Sequence, residues 1–264
     1  MNETKEEEYF HPLSAVTRKF VSICIPLWKK DEYYFNLIKS IKKYDAGVDY
    51  EICVSEGKNS VAQNRNLAMS KAKSPYICML DSDCQICQDG WLASMLEILE
   101  IKKDSGIVGC LNIYPKGEIS SVGGVIITNT ELANKRIDEL LNKFSEEDRN
   151  FVKNLTNGDV CIPLKNEGIN YENKIYIVDY VPFPCCLFDR RKTGLFLQEI
   201  YGNSGFEDND FCYRCLGMGL KNYVDGRVKI IHPTKDDKNK EPDEKNLITK
   251  ASNYFRCMVR WGIV

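Results

Sequence analysis

The sequence lacks the features that membranes and nucleic acids require. None of its apolar runs approaches the roughly 20 residues that a membrane-spanning helix needs. Its 36 Lys and Arg nearly balance its 38 Asp and Glu, so there is no broad basic field, and no arginine-aromatic repeat, to attract nucleic acid. We therefore expect neither a transmembrane segment nor a nucleic-acid partner.

The first residues also lack the pattern of a targeting peptide. Residues 1–9 are acidic and polar, whereas a secretory signal has a basic and then an apolar region, and a transit peptide is basic. This predicts a cytoplasmic protein, in which residues 1–19 form an extended N-terminal arm. Disulfides are not expected in that reducing compartment, although the chain has 12 Cys.

Two Cys-x-x-Cys pairs, Cys84/Cys87 and Cys212/Cys215, have the spacing of zinc ligands. The second pair also has helical spacing within an amphipathic segment, and several other Cys fall in apolar strand runs, where Cys acts as a small hydrophobe. The pairs are far apart in sequence, and no turn signal frames them. Buried free thiols are therefore favoured, with structural zinc as the alternative.

Strand and helix patterns alternate over residues 20–113 with short connections. The predicted strands cover residues 20–26, 50–55, 76–80 and 106–113, and the predicted helices cover 31–43, 60–73 and a segment from about 90. Such alternation is typical of right-handed βαβ units. The predicted fold class is α/β, with a mostly parallel central sheet flanked by helices.

After residue 113 this alternation ends. Residues 129–173 are charged and turn-rich, and we interpret them as a helical or irregular insertion on the acceptor side of an active site. A helix over 211–216 and a strand over 223–231 follow. Residues 235–264 are predicted to form a mobile loop and an amphipathic C-terminal helix that packs on the domain, with a membrane-surface or dimer contact as the alternative.

Two carboxylates, Asp81 and Asp83, directly follow the apolar strand run over 76–80. In open α/β sheets, ligands bind just beyond the carboxyl ends of the strands. Two unpaired acids in such a place require a cation. Oxygen ligands suit Mg²⁺ or Mn²⁺, which are usually shared with substrate phosphates. We therefore predict a divalent cation at this strand end.

A second acidic cluster, Glu207, Asp208 and Asp210, lies at a glycine-led turn that enters a helix. The helix dipole favours carboxylates there, but three acids in four residues exceed what capping requires, so one of them is a candidate general base. His232, one of two His, ends a later strand. It could complete the cation site with Asp83, because imidazole suits Mn²⁺ better than Mg²⁺.

The order of these motifs resembles that of a known family. A strand ends at Pro26, an acid follows the second strand, Asn-Arg-Asn lies in a helix, and a strand ends in Asp-x-Asp. Gly-Phe-Glu-Asp-Asn-Asp and a late strand that closes with His follow. Over about residues 20–233, this set resembles the GT-A fold glycosyltransferases of the large, inverting family 2 type.

The resemblance implies a Rossmann-like GT-A domain over residues 20–234 and an enzyme of the hexosyltransferase type. Such an enzyme uses Mn²⁺ or Mg²⁺ to move a sugar from a nucleotide-diphosphate-sugar, here expected to be UDP-linked, to an acceptor hydroxyl with inversion. The acceptor stays open between a glycan, a lipid, a protein and a small molecule.

The resemblance also implies roles for individual residues. The implied donor-binding residues are Pro26, Leu27 and Trp28 at the base, Glu56 near base and ribose, Asn64 and Arg65 at the base or diphosphate, and Asp81 with Ser82 at the ribose. The implied metal ligands are Asp83 and His232, and the implied catalytic pair is Asp208, as the base, with Glu207. Glu56 stands where the family more often has Asp, which leaves the nucleotide open.

Two other functions compete with this interpretation. A nucleotidyltransferase that makes a nucleotide-sugar usually needs a glycine-rich basic loop after the first strand, which is missing, and residues 56–60 lack the upstream glycine of a P-loop. A catalytically silent module that binds a nucleotide-sugar or glycan is the other alternative. The intact acidic clusters argue against it.

Overall fold

The computed structural model describes residues 19–127, 160–163, 171–181, 183–194, 199–203 and 205–233, together with residues 135, 138, 145–147, 150, 252, 253 and 257. Most of the predicted N-terminal arm, of the 129–173 insertion and of the C-terminal loop and helix therefore lies outside the described residues.

The elements follow the chain in this order. The strands are β1 (Phe20–Leu27), β2 (Asp49–Glu56), β3 (Tyr76–Leu80), β4 (Gln85–Ile86), β5 (Ser105–Ile113), β6 (Ile119–Ser121), β7 (Gly124–Ile127), β8 (Val160–Pro163), β9 (Ile175–Val178), β10 (Cys185–Asp189) and β11 (Lys221–Ile231). The helices are α1 (Glu32–Lys43), α2 (Val61–Ser70), α3 (Trp91–Ile101), α4 (Arg190–Thr193) and α5 (Glu207–Gly217).

The central sheet has the strand order β2-β1-β3-β10-β5-β11-β4, with β6 paired to β5 and β9 paired to β11. Strand β1 is parallel to β2 and β3, and β5 is parallel to β11, whereas β10 and β4 are antiparallel to their neighbours. Five of these seven strands thus run in one direction, which confirms the predicted α/β class. Strands β7 and β8 form a separate antiparallel pair.

One part of the predicted topology needs correction. The sequence predicted uninterrupted βαβ units over residues 20–113, but β10 lies between β3 and β5 and is antiparallel to both. All five residues of Cys185–Asp189 are buried, so this segment fills the middle of the sheet. The carboxyl ends of β1, β3, β5 and β11 still meet at one edge, because these four strands keep a common direction.

Helices cover both faces of the sheet and bury two cores. Helices α1 and α3 pack on one face through residues such as Leu37 and Trp91, and α2 and α5 pack on the other through residues such as Met69 and Phe211. Alternate residues of β1 enter the two cores, as the period of a strand requires. No helix in the described part of the chain is long and apolar enough to cross a membrane.

The two cores also settle the alternative of a zinc site built from both Cys-x-x-Cys pairs. Cys84 belongs to the core beneath α1 and α3, whereas Cys212 and Cys215 belong to the core on the opposite face. The sheet therefore separates the two pairs, and they do not share one metal. The described Cys are free thiols, and nearly all of them are buried.

Candidate active site

A cleft of about 270 Å³ opens at the sheet edge where β1 and β3 end. Six of the eight predicted donor-binding residues line it, and these are Pro26, Leu27, Trp28, Asn64, Asp81 and Ser82. The predicted metal ligand Asp83 lines it as well. Trp28 is 59% exposed, so its indole ring offers a flat apolar surface at the rim. Six of the residues predicted to bind the donor therefore share one wall, whereas Glu56 and Arg65 do not line the cleft.

Asn64 and Glu56 hold the loops that shape this cleft. The Asn64 side-chain amide donates to the carbonyl of Gly57 at 2.9 Å and accepts from Asn59 Nδ2 at 3.0 Å. The Glu56 carboxylate accepts from the backbone N–H of Lys30 at 3.2 Å. Both side chains thus fix the loops after β1 and β2, and their predicted contacts with a nucleotide stay predictions.

Helix α2 carries Asn64 and Arg65 into the site, and its start is fixed by a capping box. Ser60 Oγ accepts from the backbone N–H of Gln63, and Gln63 Oε1 accepts from the backbone N–H of Ser60. This confirms the helix start that the sequence predicts. The helix ends at Ser70, before the predicted end at residue 73.

The guanidinium of Arg65 joins the two acidic clusters. Its Nη2 lies 2.8 Å from Asp81 Oδ1, and its Nη1 lies 2.9 Å from Glu207 Oε1. The Arg65 and Glu207 side chains are only 5% and 4% exposed, and Asp81 is 25% exposed. The Arg65 guanidinium therefore joins the end of β3 to the start of α5. These two points are more than 120 residues apart in the chain.

Arg65 is held in the charged state by its neighbours. Burial opposes its charge, but the carboxylates of Asp81, Glu207 and Asp208 outweigh burial and raise its pKa further. Both terminal nitrogens bond to protein carboxylates, so Arg65 organises the site from within. The direct contact with a base or diphosphate that the resemblance implies stays a prediction.

The loop before α5 positions Glu207 beside Arg65. Gly205 and Phe206 both have positive φ angles, 103° and 71°, and this sharp turn starts α5 at Glu207. The sequence placed the helix start at residue 211, so the acids lie in the first turn itself. Positive φ is strained for a bulky residue, and such strain clusters at functional sites.

The same loop is bonded to α2, which fixes the two elements relative to each other. Asn203 O accepts from the backbone N–H of Val61 at 2.8 Å, and Glu199 Oε1 accepts from Asn66 Nδ2 at 2.7 Å. These contacts place the N-terminus of α5 beside the helix that carries Arg65.

Sequence reasoning missed Asn253, which also holds this loop. Its buried side-chain amide donates to the carbonyls of Gly202 and Gly205 at 2.8 and 3.2 Å, and it accepts from the N–H of Gly202 at 3.0 Å. The one feature of the sequence that could have indicated Asn253 is its polar amide side chain beside the apolar residues of the predicted C-terminal helix. A polar residue there requires partners, but the sequence does not say which ones.

The three acids of α5 have three different environments. Glu207 pairs with Arg65, and Asp210 Oδ1 accepts from the Tyr201 hydroxyl at 3.0 Å. Asp208 is half-buried, and its Oδ1 accepts from the backbone N–H of Asn209 at 2.9 Å. Burial and the charge of Glu207 raise the pKa of Asp208 to about 7, against the opposing charge of Arg65. A carboxylate that titrates near neutral pH is suited to general-base catalysis.

The predicted metal ligands are brought together after β3 and β11. Asp83 Oδ1 lies 3.5 Å from His232 Nε2, and the backbone N–H of His232 donates to Ile113 O, which fixes its place beside β5. Burial opposes protonation of His232, but the Asp83 carboxylate outweighs it and raises the His232 pKa. A carboxylate and an imidazole at this spacing fit a divalent cation.

Comparisons with known proteins concern the family and the fold of the chain. The family model for glycosyl transferase family 2 matches residues 31–146. No curated protein matches the chain, whereas 157 chains of solved structures do. One is the crystal structure of GalNAc-T7 with UDP, GalNAc and Mn²⁺, which is 10% identical, has a TM-score of 0.57, and is matched over 92% of this chain and 48% of that chain.

The chain has a GT-A fold. It spans about half the length of the GalNAc-T7 chain that it matches. The family match includes Arg65, Asp81 and Asp83 of the GT-A domain, whereas α5 and His232 lie beyond it. The match supports a glycosyltransferase. The predicted roles of the second acidic cluster and of His232 rest on the geometry alone.

Replacing Arg65 tests whether its charge organises the site. Arg65→Met leaves two carboxylates near an apolar side chain, so we expect the free energy of unfolding to fall by about 3–5 kcal/mol. Lys221→Met is the control, because its ion pair with Asp104 has partners that are 52% and 39% exposed, and such pairs contribute at most about 1 kcal/mol. Urea unfolding measures both, and equal losses would contradict the role given to Arg65.

The pKa of Asp208 provides a second test. Glu207→Gln removes the neighbouring charge, so the pKa of Asp208 should fall below its wild-type value of about 7. Carboxyl ¹³C NMR follows the titration, with Asp208→Asn for assignment and Asp104→Asn as a control that should change nothing. An ordinary Asp208 pKa in the wild type would refute the prediction.

The raised pKa also has a consequence for stability. Because the folded state binds the Asp208 proton more tightly than the unfolded state, this group's stabilisation is complete below about pH 4 and is lost as the pH rises towards about 7.

Proposed function

We propose that the chain is a metal-dependent glycosyltransferase that moves a sugar from a UDP-linked donor to an acceptor hydroxyl. The observation that carries this proposal is that the carboxylates of Asp81 and Glu207 both form ion pairs with Arg65. Because Asp208 is next to Glu207 in the chain, this contact supports Asp208 as a base that acts near the strand end with the cleft and the candidate cation ligands. The family match and the GT-A fold support the same reaction class.

The cleft suits the nucleotide part of the donor. Trp28 offers an exposed aromatic face at the rim for stacking on a base. The Asp81 side chain is one-quarter exposed, and Arg65 holds its Oδ1, which supports this carboxylate as an acceptor for ribose hydroxyls. Ser82 lies beside it in the same wall.

Asp83 and His232 would hold the cation. Mn²⁺ or Mg²⁺ bound there would act as a Lewis acid that neutralises the charge of the departing diphosphate. The structure of GalNAc-T7, which contains UDP and Mn²⁺, supports a cation of this kind. The 3.5 Å separation of the Asp83 and His232 donor atoms supports these two residues as its ligands.

Asp208 would remove the proton from the acceptor hydroxyl. Its pKa of about 7 leaves a large fraction ionised at neutral pH while keeping it basic enough to take the proton. Glu207 then has a positioning role, since Arg65 fixes it and its charge contributes to the raised pKa of Asp208. A base on one face of the sugar and a leaving group on the other give inversion, by the geometric logic of inverting glycosidases.

The two alternatives are a nucleotidyltransferase and a silent binding module. A transferase needs a carboxylate base, whereas a binding module does not, and the raised pKa of Asp208 supports such a base. Slow, metal-dependent release of UDP from UDP-sugars distinguishes the proposed enzyme from both, because a nucleotidyltransferase acts on a nucleoside triphosphate instead.

Two variants separate catalysis from donor binding. Asp208→Asn should lower sugar transfer, or transfer to water, by about 10²- to 10⁴-fold, because it removes the general base. Its affinity for UDP with Mn²⁺ should stay within a few-fold of the wild type. Asp83→Ala should instead lose the Mn²⁺-dependent part of UDP affinity. Isothermal titration calorimetry measures binding, and NMR of the released sugar measures both rate and anomeric configuration.

The matched control is Asp104→Asn, an exposed acid whose partner is Lys221. It should leave both binding and turnover unchanged. A large loss of UDP affinity in Asp208→Asn would contradict the role of general base. A UDP affinity of Asp83→Ala that still rises with Mn²⁺ as much as that of the wild type would contradict the cation site.

A further inference from the structure

We propose that Cys84 supplies a sulfur ligand to the cation site, so that the site takes a transition-metal ion in preference to Mg²⁺. The inference deepens the proposed function, on which it rests for the role of the cation in transfer. The sequence alone leaves the choice between Mn²⁺ and Mg²⁺ open and shows Cys84 only as one half of a Cys-x-x-Cys pair.

The geometry that carries the proposal is a three-residue cluster. The carboxylate of Asp83, the Sγ of Cys84 and a ring nitrogen of His232 all lie within 4.8 Å of one another. Within the part of the chain that the structure describes, this is the one group of three such ligands that converges in this way. Zinc-type bonds of roughly 2.0–2.3 Å place neighbouring ligand atoms roughly 3.3–3.6 Å apart at tetrahedral angles. Small side-chain adjustments therefore bring all three donors onto one ion.

Cys84 is a buried core residue, but it lies just after the end of β3, beside the strand-end acids. Its Sγ donates to the carbonyl of Pro184 at 3.3 Å, and the charged carboxylate of Asp83 is its neighbour in the chain. The backbone N–H of Cys84 donates to Asp81 O at 3.1 Å, so a tight turn after β3 fixes this residue next to the strand-end acids. The sulfur is thus held at the polar end of the sheet, on the side of His232.

Cys87, three residues later, provides the contrast. Its Sγ donates to Lys229 O at 3.2 Å, on β11, and it is not part of the cluster. It has the same chemistry and is more exposed than Cys84. The two Cys of this pair therefore have separate roles, and Cys87 offers a matched control.

A sulfur donor changes which ion the site accepts. Mg²⁺ requires oxygen ligands in near-octahedral geometry, whereas thiolate and imidazole favour softer ions such as Zn²⁺ and Co²⁺, with Mn²⁺ between the two. Binding exchanges the thiol proton of Cys84 for the metal ion, and the proton passes to solvent. Affinity should therefore rise from Mg²⁺ through Mn²⁺ to Co²⁺ and Zn²⁺.

Cobalt titration of the full chain tests the proposal directly, without any measurement of transfer. Wild-type protein should develop a near-ultraviolet sulfur-to-cobalt charge-transfer band that saturates at one Co²⁺ per chain and resists excess Mg²⁺. Cys84→Ser should lose the band and bind Co²⁺ about tenfold or more weakly, as expected for loss of a ligand or its support. Cys87→Ser should keep both the band and the affinity.

The outcomes distinguish this inference from the proposed function. If Co²⁺ binds without the charge-transfer band, and Cys84→Ser does not change its affinity, the proposal of a sulfur ligand is refuted. The proposed cation site at Asp83 and His232 would still stand. No Co²⁺ binding, even with UDP present, would overturn the inference and also remove the cation site from the proposed function.

A second measurement covers the case in which Cys84→Ser does not fold. X-ray absorption of the Co²⁺-loaded wild type should then show a sulfur neighbour at about 2.3 Å. His232→Gln should weaken the charge-transfer band through loss of the neighbouring ligand. A first shell made only of oxygen and nitrogen would refute the proposal.

Discussion

The buried ion pairs of Arg65 are the interaction on which the rest of the site depends. One guanidinium, almost fully removed from solvent, bonds to a carboxylate at the end of β3 and to another at the start of α5. A buried charge without a partner is costly, so neither element can move away without leaving unpaired charge behind. The two ion pairs therefore hold side by side two acidic motifs that are distant in the chain. The Phe183 ring packs against the Arg65 guanidinium.

This pairing explains how three neighbouring acids acquire different chemistry. Glu207 forms an ion pair with Arg65, Asp210 is bonded to the Tyr201 hydroxyl, and Asp208 is half-buried beside the charge of Glu207. Environment rather than residue type thus separates the structural carboxylates from the one suited to accept a proton. The strained turn at Phe206 and the clamp of Asn253 on the preceding loop hold that arrangement in place.

The features that the sequence predicted are those with a local physical signal. Apolar runs predicted β1, β2, β3 and β5 but not β4, the Ser60 capping box predicted the start of α2, and polar residues at strand ends predicted Asp83 and His232 as neighbours. Strand β10 was not predicted as antiparallel, because the apolar pattern of a doubly buried strand does not encode its direction. The partners of Arg65 and Asn253 were missed for a related reason. Their bonds join segments far apart in the chain, and only the tertiary fold brings these together.

The cation site that we propose consists of Asp83 and His232, which would hold one divalent ion at the edge of the cleft. The chain has only two His, so the histidine ¹⁵N NMR spectrum contains few signals, and His232→Gln assigns them. Addition of paramagnetic Mn²⁺ with UDP should broaden the His232 signals at one equivalent. His232 signals that stay sharp while Mn²⁺ saturates UDP binding would contradict the claim.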